Sequence, residues 1–222
     1  MAKSFNALGL SSSIIFLIYY GIIVAWGVNL IISTEIYGVP LYDGEIVIII
    51  DITMNILGLV AGLLLAIGGF KDTRKLVGVG GIMLIIYFGM SFTSLYTNYL
   101  IALLESVAGE SYANMIESVT NTISFISSPI YLLIAFILIA VDAGNNEDNK
   151  GVVAIPIICA IMAVVWGYFF VVLYNFLEGQ IGSPLITNII LGLGFNSYYI
   201  MIAIYFITRK PLITSGDLNF VL

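Results

Sequence analysis

The sequence has no histidine, one cysteine and few charges. Without histidine there is no usual axial ligand for a b-type haem, no common transition-metal ligand and no default general base near neutral pH. A lone thiol, Cys159, makes neither an internal disulfide nor a multi-cysteine metal site. Its apolar surroundings fit a small packing residue in a helix. Charged residues form 9% of the chain, against about one quarter in a soluble domain. That is too little to cover a water-facing surface. No basic patch or arm is present to neutralise a row of phosphates, so nucleic acid is not an expected partner.

Catalytic motifs are missing as well. There is no G-x-S-x-G or H-E-x-x-H, and no serine has a histidine base. Gly78-Val79-Gly80-Gly81 lacks the lysine and the preceding strand of a phosphate loop. A paired-aspartate mechanism needs a second acid beside Asp51, the one aspartate well inside an apolar run. The expectation is a protein that is not an enzyme and has no cofactor or metal site.

What the chain does have is apolar sequence, 61% of its residues. About 20 apolar residues cross about 30 Å of hydrocarbon. Six stretches meet that length: 12–32, 46–70, 76–104, 119–141, 152–177 and 184–208. In lipid they must be helices, because a lone strand leaves its backbone groups unsatisfied. The expected fold is all-α: a single polytopic transmembrane domain of six helices arranged as three hairpins. The run from Ile14 to Ile32 exceeds the apolar core of a signal peptide and lacks a small-residue cleavage site, so it reads as a retained span.

Basic residues set the orientation. Lys3, Lys71, Arg74, Lys75, Lys150, Arg209 and Lys210 all fall on one side of this arrangement. The opposite loops carry Glu35, Asp43, Glu45, Glu105, Glu110, Glu117 and Glu178. The expectation is a cell-membrane protein with both termini cytoplasmic. Tyr37, Tyr42, Tyr96, Tyr99, Tyr112 and Tyr174 fit an aromatic belt near the outer ends. The longest outer loop, 105–118, is long enough for a short surface helix. Gly21, Gly89 and Gly167 fall at comparable places in the three rising helices, a weak sign of a threefold repeat.

Ionisable and polar groups inside spans are costly and mark candidate sites. Asp51 lies about 9 Å inward of Glu45 at 1.5 Å per residue. Asn55, four residues on, shares its helix face, so the two have the chemistry to hold a cation or relay a proton; alternatively Asp51, near a helix end, lies shallow enough to reach interfacial water or a neighbouring hydroxyl. Ser91, Ser94 and Asn98 form a stripe on the third span. Thr120, Ser124, Ser127 and Tyr131 form another on the fourth, with Ser128 beside it. Such stripes either line a water-filled path or bond across packed helices. Pro129 should loosen the fourth helix. Gly192 and Gly194 before Asn196 mark either an interrupted helix or a close helix contact bridged by the amide. Gly58 and Gly62 have the small-xxx-small spacing of a packing surface.

Two functions fit this pattern. One is a non-catalytic membrane subunit or scaffold, embedded in the bilayer and holding other membrane chains or further copies of itself. The other is a small transporter or channel, for a cation because acidic loops raise cation concentration at its mouth. Its path would use Asp51, Asn55, Ser94, Asn98, Ser124, Ser128 and Asn196. A weaker third reading is a lipid or quinone pocket at Trp166, Tyr198 and Tyr199.

Overall fold

The computed structural model describes residues 2–31, 44–147 and 149–208. They form six α-helices: α1 (Ala2–Ile31), α2 (Gly44–Lys71), α3 (Lys75–Ala108), α4 (Glu110–Asn146), α5 (Lys150–Ile181) and α6 (Pro184–Thr208). No strand occurs among the described residues. Five helices contain stretches long and apolar enough to cross a membrane: Leu8–Asn29, Ile48–Lys71, Ile126–Asn146, Lys150–Phe170 and Ile189–Thr208. In α3 the apolar stretch among the described residues is the shorter Lys75–Ser91.

The expected outer loop at 105–118 is not a separate element. Helix α3 runs to Ala108 and α4 starts at Glu110, with Gly109 alone between them. Gly109 reverses the chain at φ 89°, a backbone region that L side chains rarely adopt. The flanking sequence has no proline, so both helices continue through it. At the end of α5, Gly182 is a left-handed C-cap at φ 70°. At its start, the Asn149 side chain accepts from Gly151 N at 2.9 Å.

Each helix packs on its chain neighbour and α6 packs back on α1, which closes a ring in sequence order. Cross-helix bonds set an antiparallel register. Ser12 Oγ donates to Ala61 O at 3.1 Å and Tyr20 Oη to Leu193 O at 3.2 Å. Tyr168 Oη donates to Ile126 O at 2.9 Å. Lys71, Arg74, Lys75 and Lys150 consequently gather at one end, hereafter the basic end.

Glycine makes the α2–α3 contact close. A Cβ on Gly81 would collide with Ala66 N and reach 2.7 Å from Gly62 O, and one on Gly69 would meet Gly78. A Cβ on Gly58 would enter the Phe88 ring. Gly58 and Gly62 thus lie on a packing surface, as their spacing indicates. Between α4 and α5, Gly167 abuts Pro129: a Cβ there would lie 2.5 Å from Pro129 Cβ. Tyr168 next to it reaches a carbonyl in the turn that Pro129 disturbs. Pro129 is therefore seated in a packed contact. Gly21 and Gly89 have nothing within 4 Å of a built Cβ. The three glycines of the suspected repeat do not share a packing role.

Aromatic rings fill the middle of the ring of helices. Tyr199 of α6 stacks on Phe16 of α1 at 5.7 Å and on Phe88 of α3 at 6.0 Å. It also lies 4.4 Å from both Tyr19 and Tyr198, while Tyr198 meets Phe136 of α4 at 5.5 Å. Tyr198, Tyr199, Phe16, Phe88 and Phe136 are all fully buried.

Candidate functional site at the open end of the bundle

Helical phase locates Asp51. The outward stripe of α2 comprises Ile49, Ile56, Val60, Leu63, Ile67 and Phe70, all exposed. At 100° per residue Asp51 falls on the opposite face, in line with Gly58, Gly62, Leu65 and Gly69. Those four are buried, and the glycines press on α3. Asp51 thus lies on the inward face near the outer end of α2 and is exposed among the described residues. A cleft of about 220 Å³ lies beside it between α1 and α2, lined by Ile22, Ala25, Trp26, Asn29 and Ile50.

Register brings the other candidate residues to the same layer. Gly58 opposes Phe88 across α2 and α3. Counting outward from that contact sets Asn55 level with Ser91 and Asp51 level with position 95. Ser127 of α4 meets Met90 of α3 at 3.7 Å, which puts Ser124 and Ser94 within one residue in height. The α1 bonds to Ala61 and Leu193 put Asn196 beside the level of Asn55. Asp51, Asn55, Ser94, Asn98, Ser124, Ser128 and Asn196 thus share a layer about 14 Å thick at 1.5 Å per residue.

Within that layer their bonding differs. Asn55 Nδ2 donates to Asp51 O at 2.9 Å, a bond along α2 itself. Asn196 Nδ2 donates to Gly192 O at 2.8 Å, and α6 runs unbroken from 184 to 208. The helix is not interrupted, and among the described residues the Asn196 amide bonds within its own helix. A Cβ on Gly192 would meet nothing within 4 Å. Ser91 and Ser127 likewise donate to carbonyls one turn back, at 3.2 and 2.5 Å. Serine readily makes this local bond, and Ser127 also donates to Met90 Sδ across the α3–α4 contact. Ser128 is half-buried. The side chains of Ser94, Asn98, Ser124 and Trp166 lie outside the described residues.

Below Asp51 the aromatic rings form a floor. Tyr19 is about three residues, or about 4.5 Å, deeper by register and packs at 4.4 Å on Tyr199. The rings of Tyr198 and Tyr199 pack on other aromatics, so the quinone or lipid pocket suspected at them has no open ring face in this arrangement.

The basic end is closed by a cluster that the sequence did not reveal. Arg74, in the α2–α3 turn, donates from Nη1 to Asp142 Oδ2 at 3.1 Å and from Nη2 to Glu147 Oε1 at 3.3 Å. The three side chains are 3%, 4% and 2% exposed. Asn146 Nδ2 also reaches Asp142, at 2.9 Å to the backbone oxygen and 3.3 Å to the carboxylate. The cluster ties the α2–α3 turn to the α4–α5 turn. Arg74 stood in the polar segment KDTRK and the two acids in DAGNNED at 142–148, with nothing to show that they meet. Next to Arg74, Thr73 has φ 62°, a left-handed conformation that costs a non-glycine residue roughly 1–2 kcal/mol.

The chain matches no family model, no curated protein and no solved structure.

Proposed function

We propose that the protein is a small transporter for a cation. In this reading it has six membrane spans, α3 being the sixth, and both termini are on the cytoplasmic side of a cell membrane. The basic end is then the cytoplasmic end. The observation that carries the reading is Asp51: a carboxylate on the inward face of α2, yet exposed, with the packed aromatic rings deeper in the bundle. A bundle open to one side and sealed on the other by buried rings and ion pairs has the form of one state of an alternating-access cycle. Asp51 is the one acid within the α2 stretch Ile48–Lys71, and an acid within a span is a candidate site for a cation.

The other reading is a non-catalytic subunit that holds other membrane chains or further copies of itself. The observation in its favour is that Ser91 and Asn196 bond their own helices and Ser127 bonds both its own helix and Met90 of α3, which leaves fewer polar groups for a path. Liposome flux together with gentle detergent extraction separates the two. Transport predicts cation flux by the isolated chain, lost in Asp51→Asn. Flux indifferent to that substitution, or stoichiometric partner chains with no flux, would favour the subunit.

A further inference from the structure

We infer that the groove between α4 and α5 seats an acyl chain of an anionic membrane lipid whose phosphate headgroup meets Lys150. The lipid belongs to the leaflet on the basic side. The inference is independent of the transport reading and needs only that the helices stand in a bilayer.

Shape selects the occupant. The groove has a volume of about 370 Å³ and is walled by Leu133 and Ile137 of α4 and by Ile157, Ile161 and Val165 of α5, with Ala160 between them. Every lining side chain is apolar. Ile137, Ile157 and Ile161 are exposed while Ala160 is 7% exposed, so the alanine is the floor of a furrow on the outer surface of the bundle. From Ile157 to Val165 is about 12 Å at 1.5 Å per residue. That volume over that length leaves a cross-section of about 30 Å², whereas a helix about 10–12 Å across needs about 80–110 Å². A helix of another chain is too wide to enter, and a single hydrocarbon chain is not.

Charge selects the headgroup. Lys150 begins α5 and is exposed. Ile157 and Ile161 follow it on the same face of α5, all three within about 40° at 100° per residue. Along the axis Ile157 is about 10.5 Å and Val165 about 22.5 Å from Lys150. One leaflet of hydrocarbon is about 15 Å deep, so the furrow lies at the depth of the far half of a chain whose headgroup meets Lys150. Asp142 and Glu147 are acids of the same turn, yet their side chains are 4% and 2% exposed and bonded to Arg74. Lys150 is thus the one exposed charged side chain of the α4–α5 turn among the described residues. The side chain of Asp148 lies outside them. The positive end of the α5 dipole faces the same point and adds to its attraction for phosphate.

The test titrates the full chain in mild detergent with phosphatidylglycerol or phosphatidylcholine of matched acyl chains, and reads binding by thermal unfolding and native mass spectrometry. Lys150→Gln removes the headgroup contact. Ala160→Leu fills the floor, and Ile161→Trp blocks the furrow from a position that is 57% exposed and so tolerant of size. The inference expects the parent to bind phosphatidylglycerol about fivefold more tightly than phosphatidylcholine, and Lys150→Gln to bind the two equally. Each groove variant should weaken phosphatidylglycerol binding about tenfold or more, the effect of about two methylene groups left unburied. A parent with no headgroup preference, a preference that survives Lys150→Gln, or binding indifferent to both groove variants would overturn the assignment. A second copy or another chain bound in place of lipid, and lost in Ile161→Trp, would overturn it as well.

Discussion

Removing Arg74 should be among the most damaging single substitutions in this chain. The guanidinium is 3% exposed and bonds two carboxylates that are themselves 4% and 2% exposed. Arg74→Ala strands both acids away from water. Breaking a buried pair in this way costs about 3–5 kcal/mol. For a chain of this length each kcal/mol moves the midpoint by about 2–4 °C, so the expected fall is roughly 6–20 °C. Thermal unfolding in mild detergent, followed by intrinsic fluorescence, reads it directly. Arg74→Lys should lose part of this, because a point charge does not form the same forked pair of bonds. Adding Asp142→Asn and Glu147→Gln to Arg74→Ala should recover much of the loss, since no stranded charge remains. A loss below about 1 kcal/mol for Arg74→Ala, the scale of an exposed ion pair, would refute the assignment of this cluster as a buried clasp.

Three further outcomes follow from the packing. Gly81→Ala should lower stability by about 1–3 kcal/mol, because its Cβ meets backbone atoms of α2 that have nowhere to go; unfolding of the variant measures it. Gly167→Ala should be destabilising alone but less so beside Pro129→Gly, which removes both ring carbons that its Cβ would meet, giving a coupling of about 0.5–3 kcal/mol in a double-mutant cycle. Thr73→Gly should raise stability by about 0.5–1 kcal/mol, since glycine adopts φ 62° without steric cost while losing more chain entropy on folding. A lower melting temperature for that variant would show that the turn is not strained.

Helices of membrane-spanning length were legible because apolar runs and scarce charge have few alternatives in lipid. The Gly58 and Gly62 contact surface was legible for a similar reason, since small residues one turn apart serve close packing. Asp51 stood out as the lone acid well inside a run. What the sequence withheld is which way side chains turn and which distant segments meet. Asn196 had two plausible readings, and the observed local bond to Gly192 O is neither. The loop expected at 105–118 became helix because a single glycine suffices for the reversal. Arg74 and its acids are 68 and 73 residues apart. Only the closure of α2 through α5 brings them together, and no local pattern encodes that. The threefold repeat failed as a packing rule because Gly167 answers to Pro129, which has no counterpart beside Gly21 or Gly89.

The account turns on a bundle open beside Asp51 and shut at Arg74. Single cysteines at positions 51 and 77, introduced singly in a Cys159→Ala background and probed in sealed vesicles with a membrane-impermeant thiol reagent, test this most directly. The account predicts rapid labelling of Asp51→Cys from the side opposite the basic end, and no labelling of Val77→Cys, buried in the structure, from either side. A position 51 shielded from both sides, or labelled only from the basic side, would contradict it.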